Sequence, residues 1–326
     1  MNGTGQQWDV IVVGGGAAGL AGALALVRSR RSVLVIDAGE PRNAPAGHVH
    51  NFLTRDGTPP SELLAAGRAE VEAYGGAVVT GRVRSAKAAA AGFVVLLETA
   101  GPEPEPVHAR RLLVTTGVTD RLPDLPGLAE RWGRDVLHCP YCHGWEVRDQ
   151  AIGVLGSPMA VHQALLFRQL SDDVVLFTHT GSEPAGDDLD RLAGRGIRVV
   201  TGEVAGLDLR GDALHGVRMT SGDTVARQVL VVAPRFLANA GLLVPLGLEP
   251  VEMVRHDQVL GEHVPSDPAS GATSVPGVYV AGNVTDPMAQ VIGAASAGLR
   301  AGAAINADLV MAEAGAATER VHAELR

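Results

Sequence analysis

The stretch WDVIVVGGGAAG, residues 8–19, decides the fold of this chain of 326 residues. Its first half is a short β-branched run that is typical of a buried strand. Its second half, from Gly14 to Gly19, fits the pattern G-x-G-x-x-G and leads into an alanine- and leucine-rich segment. The stretch therefore predicts a strand, a glycine turn and a helix, the phosphate-binding corner of a dinucleotide-binding domain.

The acid that completes this unit is Asp37. It ends a second buried-strand pattern, residues 32–36 (SVLVI), where a carboxylate can hold a ribose hydroxyl. Within the turn, Gly14 permits the tight bend, Gly16 lets the backbone approach a pyrophosphate, and Gly19 lets the helix pack on the strand. Strand, turn, helix, strand and acid in this order predict dinucleotide binding rather than a glycine turn without a ligand.

Composition narrows the class of protein. Glycine is abundant, at 41 residues, and aromatic residues make up only 3%, which favours an α/β fold over a β-sandwich. The net charge of −9 argues against a nucleic-acid partner and against a basic membrane-binding surface. The uncharged run 11–27 is shorter than a membrane span and has no basic leader, so we expect a cytoplasmic protein without membrane attachment.

The far end of the chain predicts the rest of the same domain. Residues 277–283 (GVYVAGN) predict a strand that runs into a glycine turn, and residues 294–314, rich in small side chains, predict a long helix. Gln290 and Val291 would lie near the start of that helix, whose free N–H groups favour the negative charge of a reduced flavin. From the residues alone, an ordinary core helix remains the alternative.

A weakened copy of the first unit occupies residues 151–177. It repeats the order strand, turn, helix and strand, but its glycine pattern keeps only Gly153, Gly156 and Ala160. Neither an acid nor an arginine follows its second strand, where His179 is either a ribose contact or a polar strand end. Binding of NADPH at this second site therefore stays open.

The chain has two cysteines, and they stand together in the run Cys139-Pro140-Tyr141-Cys142-His143. A four-cysteine zinc site is excluded, and we predict no metal site. A purely structural disulfide is a poor explanation, because such a small ring stabilises a fold by only about 2 kcal/mol. Pro140 predicts a helix start that places Cys139 at its cap and Cys142 in its first turn, where N–H groups favour a thiolate. We therefore predict a redox-active pair.

Over essentially its whole length, the chain resembles the low-molecular-weight thioredoxin-reductase family of flavoproteins. The resemblance rests on the glycine corner with Asp37, the crossover 113–117 (LVTTG), the C-x-x-C pair in the middle of the chain, and Gly282-Asn283 near its end. Asn283 stands where the family usually has Asp.

The run HCPYCHGWE, residues 138–146, resembles a subgroup of that family more specifically. These enzymes act on small-molecule dithiols in the biosynthesis of disulfide-containing natural products such as gliotoxin and holomycin. Thioredoxin reductases proper usually have Asp at the position of His143, a complete second glycine pattern and a basic H-R-R cluster. Trp145 in this run is either the wall of a pocket or a core residue, and Glu146 is expected to support the helix.

The resemblance implies an α/β fold of two Rossmann-like, three-layer FAD/NAD(P)-binding domains, the second inserted into the first. The FAD domain would comprise residues 1–118 and 243–326, and the inserted domain would comprise residues 119–242 and carry the C-x-x-C pair. Two stretches that are typical of linkers, 118–127 (VTDRLPDLPG) and 234–241 (PRFLANAG), flank the predicted insertion.

The cofactor implied by the resemblance is FAD, and the implied assembly is a homodimer. The residues expected to bind FAD come from the glycine corner, the crossover and the C-terminal turn, together with positions between them: Gly14, Gly16, Ala17, Ala18, Gly19, Asp37, Ala38, Arg42, Asn51, Val83, Thr116, Gly117, Gly282, Asn283, Gln290 and Val291.

The resemblance also implies roles around the cysteine pair, with Cys142 facing the flavin and Cys139 facing the substrate. His143 is the first candidate for moving protons near neutral pH, His138 is a second base, and His50 is a more distant one. For His143 and His138 a structural histidine remains the alternative.

We expect the enzyme to oxidise a small-molecule dithiol through the cysteine pair and flavin, with O2 as the final acceptor and H2O2 as product. This direction needs no nicotinamide, in agreement with the weakened second site. One alternative is an NADPH-dependent thioredoxin reductase, and another is a flavin-bearing redox sensor without turnover.

Overall fold

The computed structural model describes residues 7–98, 104–255 and 258–325. The strands are β1 (Gln7–Val13), β2 (Val33–Asp37), β3 (Ala77–Thr80), β4 (Arg82–Ala89), β5 (Gly92–Glu98), β6 (Glu105–Val114), β7 (Val118–Arg121), β8 (Val136–Leu137), β9 (Ile152–Leu155), β10 (Val174–Phe177), β11 (Arg198–Val200), β12 (Val204–Arg210), β13 (Ala213–Met219), β14 (Thr224–Ala226), β15 (Val229–Val231), β16 (Arg235–Ala238), β17 (Val251–Arg255), β18 (Gln258–His263) and β19 (Val278–Val280). The α-helices are α1 (Ala17–Arg28), α2 (Pro60–Ala73), α3 (Pro140–His143), α4 (Ala160–Phe167), α5 (Asp187–Gly194) and α6 (Val291–Glu324).

The first sheet is built around β1. It runs in the order β3-β2-β1-β6, and β6 then pairs with β19 at its end and with β5 at its beginning. The strands β3, β2, β1, β6 and β19 are parallel, whereas β4 and β5 form an antiparallel extension. The end of the chain therefore joins the sheet that its beginning starts, as the sequence predicts.

Helices α1 and α6 pack tightly against one face of this sheet because small residues line their contact. A Cβ added at Gly298 would lie 1.9 Å from the carbonyl oxygen of Ala18, and one added at Gly302 would lie 2.5 Å from that of Gly22. Helix α6 begins at Val291 and continues to Glu324, beyond the predicted end at residue 314. Its last turns are exposed, so no buried face marks the end of the helix in the sequence.

A second parallel sheet occupies the middle of the chain, in the order β11-β10-β9-β15-β8. Strands β8, β9, β10 and β15 are completely buried, which is typical of a parallel sheet covered on both faces, whereas the edge strand β11 is only partly buried. Helix α4 packs on it, and the antiparallel strands β12-β13-β14 cover another side. Helix α4 lies between β9 and β10, as the repeat at residues 151–177 predicts.

The two predicted linkers meet in the structure. Strand β7 pairs with β16 in antiparallel register, with Thr119 opposite Leu237, and β18 and β17 extend this ribbon. Two parallel sheets with helices and a joining ribbon confirm the predicted α/β class. The exact division at residues 118/119 and 242/243 stays a prediction.

Candidate functional site

The cysteine pair forms a disulfide at the start of the short helix α3. Cys139 is the N-cap residue, Pro140 occupies the first helical position, and the Cα atoms of the two cysteines lie 5.3 Å apart. The backbone N–H of Cys142 donates a hydrogen bond of 3.2 Å to the sulfur of Cys139. An N–H donor at this distance favours negative charge on that sulfur, so Cys139 is suited to leave as a thiolate.

His143 lies directly behind the pair, and both of its ring nitrogens are buried. Among the described residues, neither nitrogen has a hydrogen-bond partner. Burial lowers the pKa of His143, the charge of Glu146 opposes this effect, and His50 adds to it. The ring is therefore neutral near pH 7 and has an unused nitrogen that can accept a proton.

His138, unlike His143, is held in place by a hydrogen bond and a ring contact. Its Nδ1 donates to the carbonyl oxygen of Val232 at 3.0 Å, and its ring meets that of Phe236 edge-on, with centroids 5.6 Å apart. The amide of Gln163 donates to the backbone oxygen of His138 at 3.2 Å. Burial is the main cause of its lowered pKa. This anchoring fixes the ring beside Cys139, while its role as a base stays a prediction.

We expect His143→Gln to lower kcat/KM for dithiol oxidation by about 10²-fold, because the variant loses the proton acceptor beside the disulfide. A second effect concerns stability. The folded pKa lies below the ordinary value near 6.5, so the unfolded chain takes up the proton first and acid favours unfolding. The free energy of unfolding of the wild type, measured with urea, should therefore fall as the pH is lowered from about 7.5 to about 5. It should fall less in the variant.

The matched control for this prediction is His162→Gln, which changes an exposed histidine on α4. It should keep the wild-type activity and the wild-type pH dependence of stability. If His143→Gln behaves in the same way as this control, His143 neither accepts the proton nor titrates during unfolding.

The segment between β2 and α2 brings polar groups to α3. The Nδ2 of Asn51 donates to the carbonyl oxygen of Tyr141 at 2.6 Å. The Nε2 of His50 lies 3.3 Å from Oε1 of Glu146. Sequence reasoning predicted Asn51 as a cofactor residue and His50 as a distant base. The contact of Asn51 with α3 and that of His50 with Glu146 had no signal in the sequence, because each joins residues that are distant along the chain.

Apolar surface flanks the disulfide. Tyr141 is 61% exposed and Trp145 is 65% exposed, so the prediction of Trp145 as a core residue is wrong. The guanidinium of Arg148 stacks over the Trp145 ring, 4.2 Å from its centroid, and holds the indole at the surface. The two exposed rings belong to the same short segment as the cysteine pair and can contact an organic molecule from solvent.

The glycine corner has the shape that a dinucleotide requires. Gly14 has a φ of +104°, and a Cβ added at Gly19 would lie 1.9 Å from the oxygen of Gly14, so both positions need glycine. Gly16 caps α1, and a Cβ added there would meet nothing within 4 Å. The turn thus presents bare backbone and helix N–H groups, a cradle that fits the pyrophosphate of FAD. Ala17 and Ala18 form the first turn of α1.

Asp37 and Arg42 already have protein partners. Asp37 accepts a hydrogen bond of 3.1 Å from the N–H of Gly15 and pairs with Arg68. Arg42 makes a bidentate ion pair with Asp120, at 2.6 and 2.8 Å. This pair joins the segment between β2 and α2 to strand β7. The carboxylate of Asp37 retains lone pairs that can accept a hydrogen bond from a ribose hydroxyl. Arg42, in contrast, is occupied by its ion pair with Asp120 in the predicted linker 118–127. Their contacts with FAD stay predictions.

The C-terminal turn lies beside the glycine corner. Gly282 has a φ of +80°, and a Cβ added there would lie 2.8 Å from that of Ala18. The amide of Asn283 donates to three backbone oxygens, of residues 286, 287 and 289, and so shapes the loop before α6. Gln290 is the N-cap of α6 and Val291 is its first residue. These predicted cofactor residues therefore surround one edge of the first sheet.

The remaining predicted cofactor residues are placed by the strands. Ala38 directly follows β2, Val83 lies in β4 and packs against the core, and Thr116 and Gly117 follow β6. The hydroxyl of Thr116 donates a hydrogen bond of 2.8 Å to the backbone carbonyl oxygen of Asn239. Whether each contacts FAD stays a prediction.

The second glycine turn is closely packed. A Cβ added at Gly156 would lie 2.0 Å from the oxygen of Thr178, and Pro158 contributes no N–H. His179, with a φ of +50°, accepts a hydrogen bond of 3.1 Å from the N–H of Val204 at its Nδ1. This contact agrees with the interpretation of His179 as a polar strand end, while NADPH binding stays open.

Within residues 7–98, 104–255 and 258–325, no group of three or more His, Cys, Asp or Glu side chains is placed to hold a metal ion. In the same part of the chain, no helix has both the length and the apolar character needed to cross a membrane.

Comparison with known sequences gives extensive matches. The family model for pyridine nucleotide-disulphide oxidoreductases matches residues 8–302. Thioredoxin reductase sirT from Leptosphaeria maculans is 31% identical over 316 residues, which cover 92% of this chain and 93% of that protein. Thioredoxin reductase tcpT from Claviceps purpurea is 33% identical over 289 residues, with 84% and 86% covered.

Comparison with solved structures agrees. The crystal structure of HlmI has a TM-score of 0.87 and 44% identity and covers 98% of each chain. The oxidoreductase from Agrobacterium tumefaciens has a TM-score of 0.85 and 36% identity, with 94% of this chain and 99% of that chain covered. Together, the matches confirm the predicted resemblance to thioredoxin reductases and the predicted fold class.

Proposed function

Because this chain belongs to the pyridine nucleotide-disulphide oxidoreductase family, we propose that it oxidises a small-molecule dithiol to a disulfide, with O2 as the final electron acceptor. The observation that carries the proposal is the Cys139–Cys142 disulfide, which adjoins His143 in α3. The ring nitrogens of His143 are buried and have no hydrogen-bond partner among the described residues, and the same segment exposes the rings of Tyr141 and Trp145. The weakened second glycine turn supports this direction over one that begins with NADPH.

Two exchanges of sulfur bonds perform the oxidation. His143 accepts the proton of a substrate thiol, and the resulting thiolate attacks the sulfur of Cys139, so that Cys142 leaves as a thiolate. The second substrate thiol then attacks the substrate sulfur of this mixed disulfide. Cys139 leaves, stabilised by the N–H of Cys142 at 3.2 Å, and takes up the proton of the second substrate thiol, and the substrate departs as a disulfide. Two electrons and two protons have passed to the protein.

The cradle from Gly14 to Gly19, with Gly282 beside it, would hold FAD. When bound, FAD supplies the chemistry that takes the electron pair from the Cys142 thiolate and delivers it to O2 as H2O2. The balance is one dithiol and one O2 consumed for one disulfide and one H2O2 formed. A homodimer, implied by the family resemblance, and a cytoplasmic location complete the proposal.

The test compares two reductants under nitrogen. Dithiothreitol should bleach the flavin absorbance rapidly, and micromolar NADPH should leave it unchanged. In air, dithiothreitol should drive O2 consumption with one H2O2 formed per O2. Rapid bleaching by NADPH would instead identify a thioredoxin-type reductase. Absence of bleaching and of O2 consumption with any dithiol would leave a redox sensor.

A further inference from the structure

Residues 49–58 form a small closed loop, which we call the clasp. The N–H of Val49 donates to the oxygen of Thr58 at 2.8 Å, and the N–H of Gly57 donates to the oxygen of Val49 at 2.9 Å. Val49 is buried and anchors the loop on the first part of the fold. Asn51, with a φ of +58°, turns the chain in the left-handed region, which asparagine adopts more readily than most residues. The loop therefore has a defined shape.

Asp56 organises the tip of the clasp from within. Its Oδ1 accepts the N–H of Asn51 at 2.8 Å, and its Oδ2 lies 3.4 Å from Nδ1 of His50. The N–H of Asn51 is the main cause that lowers the pKa of Asp56, and His50 adds to it. The carboxylate of Asp56 thus holds both His50 and Asn51 in place.

Both of these residues reach across to the disulfide segment. Asn51 donates to the carbonyl oxygen of Tyr141, which stands between the two cysteines, at 2.6 Å. His50 reaches Glu146 at 3.3 Å, so its ring lies between Glu146 on one part of the fold and Asp56 on the other. The two contacts lie on either side of His143 along the chain, and each crosses between the first part of the fold and the inserted part.

We propose that the clasp positions the Cys139–Cys142 disulfide, with His50, Asn51, Asp56 and Glu146 as positioning residues. This inference rests on the proposed function, because it concerns the step from Cys142 to the cofactor. Helix α3 has only four residues and none of them is fully buried, so packing alone holds its orientation weakly. A displacement of about 1 Å can slow a reaction by about 10²-fold, so external contacts matter here.

The first experiment measures motion and needs no turnover. Glu146→Ala should increase hydrogen–deuterium exchange in two peptides at once, residues 49–58 and residues 138–147. His50→Ala should do the same, and the double variant should show no increase beyond that of His50→Ala, because Glu146→Ala removes only a contact that His50→Ala already removes. Glu146→Gln should restore part of the protection, since its amide oxygen can still accept from the imidazole.

The second experiment measures positioning. In stopped flow under nitrogen, Glu146→Ala should slow flavin bleaching by dithiothreitol about tenfold, with KM for the dithiol unchanged. The matched control is Glu130→Ala, an exposed glutamate with no ion pair within the described part of the chain. It should match the wild type in exchange, bleaching and melting temperature.

The outcomes separate the two proposals. If Glu146→Ala and Glu130→Ala exchange alike, the clasp does not hold α3. If exchange rises while bleaching keeps its wild-type rate, the clasp contacts the helix without positioning it, and the inference is overturned. If the wild-type flavin is not bleached by any dithiol, the proposed function fails, and the exchange data alone decide whether the clasp holds the helix.

Discussion

Cys142→Ser should lower dithiol-driven O2 consumption by on the order of 10³-fold or more, because no protein disulfide can then form and the electron pair has no route from the substrate. Cys139→Ser should be equally inactive in turnover. Both variants should bind FAD as the wild type does, since neither cysteine belongs to the glycine corner. An oxygen electrode and the flavin absorbance measure the two properties.

The two cysteine variants should differ in one respect that assigns their roles. Incubated with 2-hydroxyethyl disulfide, Cys142→Ser should keep a mixed disulfide on Cys139, because no second thiol can resolve it. Cys139→Ser should accumulate far less adduct on Cys142. Mass spectrometry of the intact protein measures the adduct. A stable adduct on Cys142 would exchange the two roles, and O2 consumption at the wild-type rate in either variant would end the thiol route.

Gly19→Ala should destabilise the fold by about 3 kcal/mol and abolish FAD binding, because the added Cβ overlaps fixed backbone. It would lie 1.9 Å from the oxygen of Gly14 and 2.7 Å from Oγ1 of Thr115. Neither atom can move freely, since the N–H of Gly14 donates to Ile36 at 2.8 Å and Thr115 is bonded to β1. Urea unfolding of the FAD-free protein and the flavin content of the purified protein measure the two effects.

Two other glycines serve as matched controls for this prediction. Gly16→Ala meets no neighbour within 4 Å, so it should fold with wild-type stability and lose only FAD affinity, because its methyl enters the cradle. Gly315→Ala, in the exposed part of α6, should keep FAD and raise stability by about 0.5–1 kcal/mol. Wild-type stability and flavin content in Gly19→Ala would contradict the close approach of helix and turn.

Local patterns predicted most of the architecture. Alternation of apolar runs and glycines located β1, α1, β2 and β19, because strands and tight turns depend on neighbouring residues. The cap position of Cys139 followed from Pro140 alone, since a proline prefers the first helical position. The end of α6 was missed because its exposed turns have no burial pattern. The division into two domains rests on the resemblance and stays a prediction.

The sequence by itself determined the succession of strand, turn, helix and strand along the chain at the glycine corner, the helix cap at Cys139 and the family. Tertiary structure alone decided the partners of individual side chains. Arg42 meets Asp120 across 78 positions, and Asn51 meets Tyr141 across 90 positions. Such contacts form only when segments distant in sequence come together, and no local propensity encodes that approach. For the same reason, only the structure shows that Trp145 is exposed and that the ring nitrogens of His143 have no partner within the described residues.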